Sequence, residues 1–135
     1  MAAVPDLPRA DGIFVTGTGT DVGKTVVASV IARMAASRDR KVNVFKPAVT
    51  GLDEAADLRG REPDFEDIKL LADHQALKLA ANSTQSDEEI SPYRFGPAVS
   101  PHLAAELASE EILPEEIERS ARRAMSECDV FVCEG

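Results

Sequence analysis

The chain has 135 residues, of which 44% are hydrophobic and 4% aromatic, and this composition is typical of one soluble globular domain with a single core. Its 24 acidic residues outnumber the 15 basic ones and give a formal net charge of −9, which argues against a nucleic-acid partner. No apolar run approaches the ~20 residues that span a bilayer, so we expect no membrane partner and a cytoplasmic location.

The first strand and the loop after it carry the strongest signal in the chain. Residues 1–10 contain two prolines and are typical of a flexible leader, so the folded domain is expected to span residues 11–135. The apolar run from Ile13 to Val15 predicts a strand. The loop that follows, called the phosphate loop below, is Gly17-Thr18-Gly19-Thr20-Asp21-Val22-Gly23-Lys24-Thr25.

Each part of the phosphate loop suits a bound nucleoside triphosphate. Glycines let backbone N–H groups surround phosphate oxygens, the helix N-terminus and Lys24 add positive charge, and the Thr25 hydroxyl can ligate Mg²⁺. Five residues rather than the usual four separate Gly17 from Gly23. A dinucleotide-binding fingerprint and a turn without a ligand are the alternatives, and the Lys24-Thr25 pair favours the phosphate loop. We therefore predict MgATP binding by Gly19, Thr20, Asp21, Val22, Gly23, Lys24 and Thr25.

The residues after this loop follow the helical period. The face expected to pack on a sheet consists of Val27, Val30, Ile31 and Met34. This helix is predicted to end near Arg38, and residues 42–45 predict a second strand joined to the first by a βαβ crossover. The polar stretch from Lys46 to Pro63 begins at the carboxyl end of that strand, so it is expected to be a functional loop.

Three more helices and a last strand are predicted further along. Asp64 can cap a helix from Phe65 to about His74, Ser100 can cap a second that starts at Pro101, and Pro114 starts a third. The apolar run at residues 129–133 predicts a buried parallel strand.

These elements predict an α/β fold of the P-loop NTPase type, doubly wound around a mainly parallel sheet with helices on both faces. A sheet of three or four strands covers itself poorly. The sequence is therefore expected to be the front part of a larger domain, truncated at its C-terminal side.

Four polar residues outside the phosphate loop are candidate site residues, and each also has a purely structural interpretation. Lys46 could be a strand-end lysine or an anion ligand, and Thr50 could cap a turn or bind a substrate. Asp67 could favour a helix N-terminus or ligate Mg²⁺. Glu134 follows a buried strand, where a carboxylate needs compensation, and Mg²⁺ coordination would supply it.

Five landmarks occur in order along the chain. They are the phosphate loop with its extra residue, Phe45-Lys46-Pro47-Ala48-Val49-Thr50-Gly51, Asp67, Pro92-Tyr93-Arg94-Phe95 followed by Ser100-Pro101-His102, and Val132-Cys133-Glu134-Gly135. On these landmarks the chain resembles the dethiobiotin synthetase family over residues 13–135. The extra loop residue is that family's own departure from the common spacing.

The resemblance implies an ATP-dependent ligase of biotin biosynthesis. In that family 7,8-diaminononanoate captures CO₂, supplied from bicarbonate, as a carbamate. ATP then phosphorylates the carbamate, and the second amine closes the ring with release of phosphate and ADP. The resemblance also implies Mg²⁺ as cofactor, ATP as co-substrate and a homodimer.

Residue by residue, the resemblance implies catalytic roles for Lys24, Lys46 and Thr20. Thr20 would touch the carbamate and Asp21 would meet a substrate amine. Lys46 would hold the carbamate and the γ-phosphate, with Thr50 bonded to the carbamate. The implied metal ligands, which also contribute to ATP binding, are Thr25, Asp67 and Glu134.

Two other functions stay open at this point. The first is a partitioning or assembly ATPase that uses nucleotide to switch dimers, although those carry a second lysine early in the loop where this chain has Thr18. The second is an inactive nucleotide-binding fragment.

Overall fold

The computed structural model describes residues 10–19, 23–55, 58 and 60–135. Most of the predicted leader and the predicted site residues Thr20, Asp21 and Val22 lie outside the described residues. The strands are β1 (Asp11–Val15), β2 (Val42–Phe45), β3 (Ala48–Val49), β4 (Tyr93–Arg94) and β5 (Val130–Glu134). The helices are α1 (Lys24–Ala36), α2 (Asp73–Ala81), α3 (Asp87–Ile90), α4 (Pro101–Leu107) and α5 (Pro114–Ser126), with 3₁₀ turns at Leu52–Glu54 and Phe65–Lys69.

The main sheet is parallel and has the order β1-β5-β2. β5 therefore lies between the two strands that α1 connects. In the register, Asp11 lies beside Val130, which lies beside Val42 on its other side. The carboxyl ends of all three strands consequently meet at one edge of the sheet, where ligands bind in parallel α/β folds.

Helices cover the main sheet on both faces. On one face, α1 and α2 pack against Val44 and Val132 through small residues such as Ala28 and Ala32. On the other face, α5 packs against Phe45 and Phe131, whose ring centroids lie 6.2 Å apart. The predicted doubly wound α/β fold of the P-loop NTPase type is confirmed.

The predicted functional loop after Lys46 contains regular structure. β3 and β4 form a small parallel sheet of their own. Beyond β3, the Gly51 N–H donates to the Pro97 carbonyl and the Leu52 N–H donates to the Phe95 carbonyl. These bonds hold the segment that carries Thr50 beside residues 95–97. No helix among the described residues is long and apolar enough to cross a membrane.

The helix predicted from Phe65 to His74 is wrong. Asp64 does cap an element, but this is the short 3₁₀ turn at Phe65–Lys69, and a separate helix, α2, begins at Asp73. The helical conformation is interrupted between these two elements because the Ala72 backbone is extended (φ −60°, ψ 148°). The buried face of α2 is built largely from alanines, which give a weaker apolar pattern than Leu or Ile.

The predicted packing face of α1 is also wrong for most of its residues. Ile31 does pack on the core, but Val27 and Met34 are 51% and 52% exposed. The fully buried residues of α1 are Ala28, Ser29 and Ala32, all of them small. Small side chains let the helix lie close to the sheet and to α2, so they take the inner face that the larger residues were expected to occupy.

Candidate active site

A buried carboxylate joins the phosphate loop to the end of β2. Glu134 is the last residue of β5 and is 1% exposed. Its Oε1 accepts a hydrogen bond from the Thr25 hydroxyl at 2.7 Å and one from Lys46 Nζ at 3.0 Å. Thr25 lies in the first turn of α1, and Lys46 directly follows β2. The topology thus brings together three residues that were predicted separately.

Asp73 completes this group, and sequence reasoning missed it. Its Oδ2 lies 3.1 Å from Lys46 Nζ, so the ammonium lies between two carboxylates. Asp73 is the first residue of α2. An acidic residue at a predicted helix start was the signal that could have found it, but the pattern located that start about eight residues too early. The four residues Thr25, Lys46, Asp73 and Glu134 are called the acid–lysine cluster below.

The electrostatics of the cluster keep its lysine charged. Burial by itself disfavours the ammonium form, but the charges of Glu134 and Asp73 and their hydrogen bonds outweigh that effect and raise the pKa of Lys46 above its ordinary value. An ammonium has three N–H donors. Two of them serve Glu134 and Asp73, which leaves one to donate to a bound anion.

The described part of the phosphate loop comprises residues 17–19 and 23–25. Gly23 precedes α1 with φ at +92°, a left-handed conformation that residues with a side chain rarely adopt. Lys24 Nζ donates to the Gly19 carbonyl at 3.0 Å on the exposed surface. The Lys24 side chain therefore reaches back to the first part of the loop.

Asp67 and Thr50 are not part of the acid–lysine cluster. Asp67 Oδ2 accepts from the Asp64 N–H at 2.9 Å, and its Oδ1 lies 2.9 Å from Arg61 Nη2. The bond from Arg61, followed by that from the Asp64 N–H, lowers the pKa of the Asp67 carboxyl. These contacts match the structural interpretation of Asp67 as a turn cap. Thr50 is half-buried between β3 and Gly51, which has φ at +79°.

The donors of the cluster fit a hard divalent cation. Glu134 Oε2 is buried and has no hydrogen-bond partner among the described residues. Such an oxygen is costly unless a proton or a cation balances it. Oxygen donors from one or two carboxylates, completed by water and substrate phosphate, are typical of Mg²⁺ sites in phosphoryl-transfer enzymes. The described residues contain no cluster of three His, Cys, Asp or Glu that would form an all-protein cage.

Three curated relatives show how far the similarity extends, and each is named "ATP-dependent dethiobiotin synthetase BioD". The protein from Bacillus subtilis (strain 168) is 32% identical over 124 residues, which cover 92% of this chain and 48% of that protein. The protein from Geobacillus kaustophilus is 35% identical, and the match covers 91% of this chain and 45% of that protein. The protein from Nitrosospira multiformis is 33% identical, and the match covers 92% of this chain and 49% of that protein. The chain spans about half the length of these relatives.

The match to a family model covers nearly all of the chain. The model described as "AAA domain" (AAA_26) matches residues 11–135, the same range as the predicted folded domain. The range includes both the phosphate loop and the whole acid–lysine cluster. Together with the relatives, this match confirms the resemblance stated from the sequence: the chain belongs to the AAA domain family of P-loop proteins and is similar to the dethiobiotin synthetases.

Proposed function

We propose that this chain carries the ATP and carbamate half of a dethiobiotin synthase site. The reaction would join 7,8-diaminononanoate and CO₂, with MgATP, to give dethiobiotin, ADP and phosphate. The observation that supports it best is the geometry of Lys46, whose ammonium is held by Glu134 at 3.0 Å and Asp73 at 3.1 Å beside the start of the phosphate-loop helix. The relatives' printed names supply the reaction class.

In the proposed reaction, this chain would contribute mainly by positioning the reactants and by supplying positive charge. A carbamate and a transferring phosphoryl group are both anionic, so their approach is unfavourable unless cations lie between them. Lys46 has one N–H left over for this purpose, and Lys24 reaches the loop from the exposed side. Both lysines would donate to oxygens whose charge grows as phosphoryl transfer proceeds.

The substrate contacts are proposed on the same basis. Thr50 would hydrogen-bond the carbamate from the turn after β3, and Thr20 would do so from the phosphate loop. Asp21 would pair with the free amine of the diamine. A homodimer is proposed from the family resemblance alone.

We propose Thr25, Glu134 and Asp73 as the residues that hold Mg²⁺. When bound, the cation would neutralise part of the phosphate charge. The orphaned Glu134 Oε2 supports this assignment. Asp73 replaces Asp67 in this proposal because Asp73 shares Lys46 with Glu134, whereas both oxygens of Asp67 are engaged by Asp64 and Arg61.

A chimera tests the proposed function. This chain would be followed by the half of the Bacillus subtilis relative that it does not span. The chimera would be incubated with 7,8-diaminononanoate, bicarbonate and MgATP, and the product would be identified by mass spectrometry. We expect dethiobiotin to form, and Lys46→Gln to reduce turnover far more than it raises the KM for ATP.

Lys69→Gln is the matched control, since Lys69 is exposed and outside the acid–lysine cluster. It should leave turnover unchanged. ADP release that is independent of the diamine would instead support a nucleotide switch. A folded chimera without either activity would contradict the proposal.

A further inference from the structure

The segment that carries Thr50 is held by the loop that follows β4. Before Thr50, the Val49 carbonyl accepts a hydrogen bond from the Phe95 N–H at 2.8 Å. After it, the Gly51 N–H donates to the Pro97 carbonyl at 3.0 Å. These two bonds fix the backbone on either side of Thr50.

A second pair of bonds brings the 3₁₀ turn after Gly51 against the same loop. The Leu52 N–H donates to the Phe95 carbonyl at 3.2 Å, and the Asp53 N–H donates to the Gly96 carbonyl at 3.0 Å. Both bonds join backbone to backbone. The turn and the loop can therefore approach only as closely as the side chains between them allow.

Gly96 has no room for a side chain. A Cβ atom built on Gly96 would lie 2.5 Å from Asp53 Oδ1 and 2.6 Å from Asp53 Oδ2, well below van der Waals contact. The φ of Gly96 is outside the left-handed region, so the backbone conformation by itself does not require glycine here. The requirement comes from the space that the Asp53 carboxylate occupies.

We propose that Gly96 is a positioning residue for Thr50. Because position 96 has no side chain, the turn that carries Asp53 lies against the loop, and the bonds on either side of Thr50 can form. A methyl group at position 96 would push the turn and the loop apart, and Thr50 would move with them. The inference rests on the proposed function, in which Thr50 hydrogen-bonds the carbamate, and Gly96 acts on the substrate only through Thr50.

Kinetics of the chimera described above separate this role from a general structural one. We expect Gly96→Ala to lower kcat/KM for 7,8-diaminononanoate about tenfold or more, because a small displacement of a substrate contact is costly. The KM for ATP should stay within about twofold, since the proposed ATP contacts lie on the phosphate loop. In a Thr50→Val background, Gly96→Ala should cause no further loss, because Thr50 is the residue through which it acts.

Rescue identifies the contact that is responsible. The three atoms nearest to a Cβ at position 96 all belong to the Asp53 side chain. Asp53→Ala/Gly96→Ala should therefore regain most of the activity that Gly96→Ala loses. Glu54, the next exposed carboxylate of the same turn, is the matched control. Glu54→Ala/Gly96→Ala should regain none of it.

Hydrogen exchange tests the geometric step in this chain alone, without any activity. The Gly51 and Asp53 amides donate to the loop, so we expect both to exchange at least about tenfold faster in Gly96→Ala. Asp53→Ala/Gly96→Ala should restore the slower exchange. Gly12→Ala is the control, because a Cβ at Gly12 would have no heavy atom of the described residues within 4 Å beyond its chain neighbours.

Several results would overturn the inference. They are unchanged amide exchange in Gly96→Ala, no recovery on adding Asp53→Ala, an equal loss with and without Thr50→Val, and a Gly96→Ala chain that does not fold. A working chimera whose diamine kinetics ignore Gly96→Ala would contradict this role alone. An unsubstituted chimera that forms no dethiobiotin would contradict the proposed function and this role with it.

Discussion

The Thr25 hydroxyl donates a hydrogen bond to Glu134 Oε1 at 2.7 Å, across 109 positions of sequence. Thr25 lies in the first turn of α1, and Glu134 ends the central strand of the main sheet. The bond therefore ties the loop to the carboxyl edge of the sheet. It also connects two of the three proposed metal ligands, so a substitution of either residue should alter the position of the other.

We expect Thr25→Val and Glu134→Gln each to weaken Mg²⁺-dependent ATP binding about tenfold or more. In the double variant, the loss of ATP-binding free energy should be smaller than the sum of the losses in the two single variants. We expect a coupling energy of about 1–3 kcal/mol, because the two residues share one hydrogen bond and one proposed cation. Isothermal calorimetry at several Mg²⁺ concentrations measures all four proteins. Strictly additive losses would mean that the two residues act independently.

Substitutions of Asp73 and Asp67 should differ in their effect on the Mg²⁺ dependence of ATP binding. Asp73→Asn should raise the Mg²⁺ concentration needed for half-maximal ATP binding, because Asp73 belongs to the acid–lysine cluster. Asp67→Asn should leave that concentration unchanged, because its carboxylate caps the turn after Asp64. If Asp67→Asn shifts the Mg²⁺ titration and Asp73→Asn does not, the assignment proposed above must be reversed.

Lys24→Ala should reduce ATP affinity at least about tenfold while leaving the thermal midpoint nearly unchanged. The ammonium makes one exposed hydrogen bond, to the Gly19 carbonyl, so little packing is lost with it. Lys69→Ala, on an exposed surface, is the matched control for loss of one positive charge. An unaltered ATP affinity in a folded Lys24→Ala protein would remove the phosphate-loop assignment.

The parts of the fold that sequence predicts well are those that local chemistry decides. The apolar run of β5 and the Ser100 cap of α4 were both confirmed, since the Ser100 hydroxyl accepts from the Leu103 N–H. The location of Glu134 at the carboxyl edge of the main sheet followed from one rule, that the carboxyl ends of neighbouring parallel strands meet at the same edge. The location of Lys46 at the same edge followed from this rule applied to β2.

The parts that sequence predicts poorly are set by docking of distant elements. Asp73 enters the site because α2 lies beside the end of β2, and no local pattern states that contact. The inner faces of α1 and α2 consist largely of alanines, which a search for large apolar side chains passes over. β3 and β4 have two residues each, too few for any periodicity to appear.

The contact between Asp67 and Arg61 should make the thermal stability of the chain depend on pH in the acidic range. This contact lowers the pKa of the folded carboxyl below its unfolded value, so the folded state favours the charged form. The stabilisation is then fully present above about pH 4 and is lost as the pH falls through the folded pKa. Thermal melts of the original chain and of Asp67→Asn should differ at pH 6 and converge toward pH 2. A constant difference across this range would mean that the charge of Asp67 is not involved.

Closure of the β2 edge by Gln85 makes the sharpest stability prediction. Gln85→Leu keeps the size of the side chain but leaves the N–H and the carbonyl of Val44 without their partners. Each buried backbone group left unsatisfied costs about 1–3 kcal/mol, so we expect the loss of both partners to lower the free energy of unfolding by about 2–6 kcal/mol. Gln75→Leu, on the exposed side of α2, is the matched control and should stay within about 0.5 kcal/mol. Urea denaturation followed by circular dichroism measures both variants. A Gln85→Leu protein as stable as the control would mean that water or a rearranged segment replaces the amide at this edge, and that Gln85 does not close it.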